Sequence, residues 1–183
     1  MPATVLFGVI VVALVSTAGD YVWYEFGVRH RVVVGILHGA VLLMAVGGVV
    51  GLAARRVGAG LPIGAAAGIG GAIAYYLIDM VTRGGVAMIA AWVICWLLLA
   101  LGEGRLLQRP QRPWTEVMTR GVLAAILGGL AFYVVVNILW GRPPAGGRNY
   151  LVQFAAWTFA WAPGILALVV GGIRPKAKGP RPK

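Results

Sequence analysis

Apolar residues fall into six long runs, and this pattern limits the possible folds more than any other feature of the chain. A helix needs about 20 apolar residues to cross roughly 30 Å of hydrocarbon. Six segments are candidates, at about 3–19, 32–54, 59–80, 84–101, 120–140 and 151–172. They are apolar on every face, as in Val32 to Val34 and Leu97 to Leu101. Strands of a membrane barrel would instead alternate apolar and polar residues. The expected fold is therefore all-α, a polytopic bundle of six transmembrane helices. Composition agrees: 60% of the 183 residues are hydrophobic and 11% are charged. A soluble domain carries about 45–50% apolar and about 25% charged residues. Cys95 is the only cysteine, which excludes a disulfide scaffold.

The first run is expected to be retained as a span. A cleaved signal peptide carries Lys or Arg ahead of its apolar core, and residues 1–5 hold neither. Ser16-Thr17-Ala18-Gly19 imitates a cleavage site. Orientation follows from Lys and Arg, which accumulate in cytoplasmic loops. Arg55 and Arg56 lie between spans 2 and 3; Arg105, Arg109, Arg112 and Arg120 lie between spans 4 and 5; and Arg174, Lys176, Lys178, Arg181 and Lys183 lie in the tail. These eleven stand against five on the other side: Arg29, Arg31, Arg83, Arg142 and Arg148. The expected topology puts both termini in the cytoplasm, and the short loops point to a bacterial inner membrane. The net charge of +11 is spread over separate loops, so no nucleic-acid partner is expected. The bilayer and its anionic headgroups are the expected partner. Residues 173–183 alternate basic residues with Pro and Gly and are expected to be a disordered tail. Gly102 to Glu116 is expected to be the longest cytoplasmic loop, with Arg109 to Trp114 an extended turn.

Small residues let helix backbones approach closely. Gly60, Gly64, Gly68 and Ala72 recur every four residues in span 3, and Gly121, Ala125 and Gly129 do so in span 5. Span 2 has a weaker version in Gly47 and Gly51. Spans 3 and 5 are thus expected to be central. They also share a pattern: Gly70-Gly71, Tyr75 and Asp79 recur 58 residues later as Gly128-Gly129, Tyr133 and Asn137. A parallel repeat of helix pairs would explain it.

Ionisable groups within spans are costly and usually mark function. Here they share one side. Asp79 lies near the outer end of span 3, Asn137 at equivalent depth in span 5, and Gln153 just inside span 6. His38 lies about 9 Å into span 2 at 1.5 Å per residue. Asp20, Glu25, Arg29, His30 and Arg31 are expected in the outer loop after span 1. Trp92, Cys95 and Trp96 fall at i, i+3 and i+4 on span 4, and Trp157 and Trp161 at i, i+4 on span 6. Pro163-Gly164 is expected to kink span 6 or weaken its hydrogen-bond ladder. The pattern predicts an outward-opening pocket for a small solute. Asp79, His38, Asn137 and Gln153 are its polar anchors. Its wall is Tyr75, Tyr133, Trp92, Trp96, Trp157 and Trp161. Trp23, Tyr24, Trp140 and Tyr150 fit an outer aromatic belt.

Other chemistries find less support. The two histidines, His30 and His38, do not stand on facing spans, so no haem is expected, and no close ligand spacing supports a metal. Ser16 is the only serine, and Cys95 lacks a histidine at its depth, which disfavours a nucleophilic hydrolase. No phosphate-binding motif is present, and no cofactor is expected. The reading is a carrier or substrate-capture subunit. In architecture alone, the six-span layout is comparable to the capture subunits of energy-coupling-factor importers. The alternatives are a non-catalytic accessory subunit of a membrane complex and, third, a metal-dependent membrane enzyme built on Glu25, His38 and Asp79.

Overall fold

Among the described residues there are six α-helices: α1 (Pro2–Glu25), α2 (Arg31–Ala53), α3 (Val57–Thr82), α4 (Gly85–Gly102), α5 (Trp114–Val134) and α6 (Tyr150–Val169). A π-helical turn, Glu103–Leu107, continues α4. This computed structural model describes residues 2–26, 30–82, 85–108, 110–134 and 149–169. Among the described residues there is no strand, and all six helices are long and apolar enough to cross a bilayer. Asn137, Trp140, Arg29, Arg83, Arg109, Arg142, Arg148 and the 173–183 tail lie outside the described residues.

Each helix packs on the next, α6 returns to α1, and α2 touches α6 across the middle. One end of the bundle carries the C-terminus of α1 with Asp20; the opposite end carries the π turn with Glu103. Three expectations need correction. Asp20 and Glu25 belong to α1, not to a following loop, because the apolar and aromatic run continues through Tyr21, Val22, Trp23 and Tyr24. The expected Gly102 to Glu116 loop is mostly helical: α4 runs on into the π turn, and α5 begins at Trp114. Spans 3 and 5 are not the central pair. Half of α6's apolar window is buried, against 22% for α3.

The glycine stripes account for this third difference. On α3, Gly60, Gly64 and Gly68 face α2, where Gly39, Leu43, Gly47 and Gly51 receive them backbone to backbone. A Cβ on Gly47 would stand 2.6 Å from Gly64 Cα. On α5, Gly121 faces Leu97 and Ala100 of α4, and Gly129 faces Trp92. Small residues therefore encode the closeness of one helix pair, not a central place in the bundle. The two halves of the 58-residue pattern both meet α4: Gly71 packs on Cys95, and Gly128 on Trp92 and Trp96. Helix α6 contains Pro163 without interruption, and Gly164 beside it leaves room for the Trp96 ring.

The α2–α3 turn uses a tight C-terminal cap. The Arg56 N–H donates to Gly51 O at 2.6 Å and the Arg55 N–H to Leu52 O at 3.0 Å. This is a Schellman pattern, whose left-handed position usually belongs to glycine. Here Arg55 holds it, at φ 57°.

Candidate functional site

The polar contacts around Asp20 and Ser16 are built by α1 and α6. These helices run antiparallel, and each presents a side chain every four residues, about one turn. Ser16 meets Trp161, whose indole N–H donates to Ser16 Oγ at 2.9 Å. One turn on, the Trp157 indole N–H donates to Asp20 Oδ2 at 2.6 Å. Gln153 Nε2 donates to the same oxygen at 3.0 Å. Ser16 Oγ also donates to Val12 O, so a fully buried hydroxyl is satisfied on both counts. Val12 and Ile165 extend the ladder as a dry apolar layer, both fully buried.

His38 of α2 stands against this ladder. Its ring packs on Gly19, where a Cβ would collide with the imidazole. The Trp23 ring lies 6.4 Å from it, and the Asp20 carboxylate acts on it electrostatically. Where α1 ends and α6 begins, Tyr150 donates its hydroxyl to Glu25 Oε1 at 2.6 Å, and Tyr21 meets the Tyr150 ring edge-on at 5.3 Å.

Beside the ladder lies an aromatic cluster. Trp92 packs at 4.7 Å from Trp161 and 4.9 Å from Phe132, and Phe132 stacks on Trp157 at 5.6 Å. Trp96 joins at 5.8 Å from Trp161. These rings fill the space between α4, α5 and α6; Trp96 and Trp161 are each 1% exposed. Three buried polar atoms here lack a hydrogen-bond partner among the described residues: Gln153 Oε1 and the indole nitrogens of Trp92 and Trp96. Both indole nitrogens converge on Gly128, at 2.9 and 3.2 Å from where its Cβ would stand. A buried polar atom left unpaired costs about 1–3 kcal/mol.

Of the expected site residues, Gln153, Trp157, Trp161, Trp92 and Trp96 come together, and His38 joins them through α1. Cys95 does not share the face of Trp92 and Trp96. It turns to α3, its thiol 3.6 Å from Ala67 O, because 60–100° around a helix separates two neighbouring helices. Tyr75 meets Tyr76 edge-on at 5.2 Å, and Asp79, half-buried, follows Tyr75 by four residues on α3. Tyr76 donates to Arg31 O at 2.7 Å, on the α2 side. Tyr133 is an exposed residue of α5. Asn137 lies outside the described residues. Among the described residues no three His, Cys, Asp or Glu side chains gather to hold a metal ion.

Two features escaped the sequence reading. Asp20 is the carboxylate of this site, and its spacing of four from Ser16 was the available signal. The second feature lies at the other end. Glu103 and Arg112 are buried, with side chains 4% and 5% exposed, and pair at 3.1 Å. Arg112 also pairs with Glu116, and Glu116 with Arg120 at 3.1 Å. Gln108 donates to Glu103 at 2.7 Å, and Arg120 to Leu168 O at 2.9 Å. Arg112 lies in the non-helical stretch 110–113 yet is buried; its pairing with two carboxylates is what permits burial. Burial alone would lower its pKa, but hydrogen bonding and charge from Glu103, with Glu116 adding to both, raise it above the ordinary arginine value. The spacing of four in Arg112, Glu116 and Arg120 was the signal for this chain of charges.

No protein-family model, curated protein or solved structure matches the chain.

Proposed function

We propose that the chain is a multi-pass protein of the bacterial inner membrane, with both termini cytoplasmic. Its α1–α6 ladder binds a small solute, as a carrier or a substrate-capture subunit. The Asp20 end then faces outward. The imbalance of eleven against five basic residues supports that orientation.

One observation carries the solute reading. A carboxylate sits about 8 Å inside the end of an apolar helix, at 1.5 Å per residue. It is held by Gln153 and Trp157, with a histidine at its flank. Carboxylates placed so in a membrane mark substrate or proton paths. Gln153 Oε1 remains an acceptor beside it. The geometry favours a solute that presents a cation or an N–H to Asp20 and Gln153, and an apolar or aromatic body to Trp157 and Phe132. The accessory-subunit reading also has an observation behind it, the closed packing of Trp96 and Trp161.

Native mass spectrometry of the detergent-solubilised protein separates the two. The solute reading expects a small molecule bound to the wild type and lost from Asp20→Asn, with equal protein in the membrane. A wild type that carries only a protein partner, lost with the same substitution, refutes it.

A further inference from the structure

We infer that the cavity at the Glu103 end binds the phosphate of an anionic phospholipid headgroup, with Arg55 as its anchor. The inference rests on the membrane-spanning part of the preceding reading and not on its solute site. The cavity holds about 180 Å³. Arg55, Glu103 and Gln108 form its polar wall, and Val50, Ala53 and Val169 its apolar side. Pockets for drug-sized ligands hold roughly 300–1,000 Å³. This one suits a group of only a few heavy atoms.

Charge bookkeeping selects the sign. Glu103, Arg112, Glu116 and Arg120 pair with one another and cancel. Arg56 donates to Leu106 O at 2.9 Å, bracing the π turn. Arg105 donates to Arg112 O at 3.2 Å and lies 4.5 Å over the Trp114 ring. The Arg55 guanidinium makes no hydrogen bond or ion pair among the described residues. Arg55 is exposed at the cavity wall, and Glu103, the anion that shares this wall, is already held by Arg112 and Gln108, so a phosphodiester monoanion is left to balance Arg55. The Gln108 side chain, already turned toward Glu103, supplies a polar neighbour that can meet a headgroup hydroxyl.

The backbone adds an independent pointer. Arg55 occupies the left-handed position of the α2 cap, where glycine would sit unstrained. Strained residues persist where the side chain is used. The surroundings choose lipid over free phosphate. Leu52 and Leu106 are exposed beside the rim, at 43% and 57%, and would lie along acyl chains. Trp114 is 56% exposed at the same end, as in an interfacial belt.

Arg55→Gly is the decisive variant, because it removes the guanidinium while relaxing the backbone. It should fold at least as well as the wild type. Protein purified from membranes and stripped of lipid is titrated with short-chain phosphatidylglycerol, short-chain phosphatidylcholine or inorganic phosphate, and read by native mass spectrometry. We expect a phosphatidylglycerol adduct preferred over phosphatidylcholine. Arg55→Gly should weaken it by about fivefold or more, the worth of one arginine near an anionic surface, and Arg55→Lys should retain part of it. Displacement by inorganic phosphate assigns the phosphate site to a free source, and persistence assigns it to lipid. Equal uptake of both lipids by the wild type, or unchanged phosphatidylglycerol binding in Arg55→Gly, overturns the inference. Asp20→Asn should keep this adduct, so the two sites fail separately. A chain that does not fractionate with membranes removes the membrane reading instead.

Discussion

Replacing Glu103 by Gln keeps the side chain's volume and removes its charge. Arg112 then loses its main partner: Nε bonds both Glu103 oxygens, at 3.3 and 3.1 Å, and Nη2 bonds Oε1 at 3.1 Å. Breaking a buried pair from one side costs about 3–5 kcal/mol, because the surviving charge is stranded. The stranding here is incomplete, since Glu116 still holds Nη1. Glu116 is 32% exposed and its attraction is partly screened. We therefore expect a smaller loss of about 2–3 kcal/mol, at or just below the bottom of that range. Thermal unfolding of the detergent-solubilised protein should show a fall of roughly 4–12 °C, at about 2–4 °C per kcal/mol for a chain of this size. The double variant Glu103→Leu with Arg112→Met should recover most of it, because apolar replacement of a buried pair is often neutral. A single-variant shift of less than about 2 °C, or a double variant worse than the single, would refute the burial argument. Arg112 itself adds no pH dependence in the accessible range. Its pKa is raised in the folded state. That stabilisation is complete below the unfolded value and fades only as pH rises through the folded one, above the ordinary arginine range.

Ser16→Ala leaves the Trp161 N–H buried without its acceptor, and should destabilise by about 1–3 kcal/mol in the same unfolding assay. Gly64→Ala places a Cβ 2.8 Å from the Leu43 carbonyl carbon and 2.9 Å from Gly47 Cα. Neither backbone can yield, so α2 and α3 must part, at about 1–3 kcal/mol and with a broader gel-filtration peak. Gly58→Ala meets open space, and should be neutral or stabilise by up to about 1 kcal/mol through helix propensity. Equal effects at Gly64 and Gly58 would show that close approach does not set the α2–α3 contact. Reporter fusions after Lys183 should report a cytoplasmic terminus, and an external signal would invert the proposed orientation.

The six helices were legible because a run of about 20 apolar residues has few other uses. The glycine register was legible too, but its meaning was read too broadly. Gly60, Gly64 and Gly68 specify how near α2 comes, and nothing in that spacing says which helix the others surround. Trp157 and Gln153 announced themselves as polar or aromatic groups in an apolar run. Asp20 did not, because Gly19-Asp20 reads as the end of a helix until the aromatic residues beyond it are counted. Glu103 and Arg112 were hidden for a different reason. A charge in a short segment between spans looks solvated, and only a partner from the same segment, brought back by a π turn, makes burial affordable.

The ladder between α1 and α6 joins residues 145 positions apart. Synthesis delivers Ser16 and Asp20 well before their partners. Until α6 arrives, a hydroxyl and a carboxylate stand on an apolar helix with no indole or amide to meet them. The nascent chain thus passes through a stage in which α1 is formed before α6 supplies these partners. Truncation anywhere before Tyr150 would remove these partners and leave the chain at that stage.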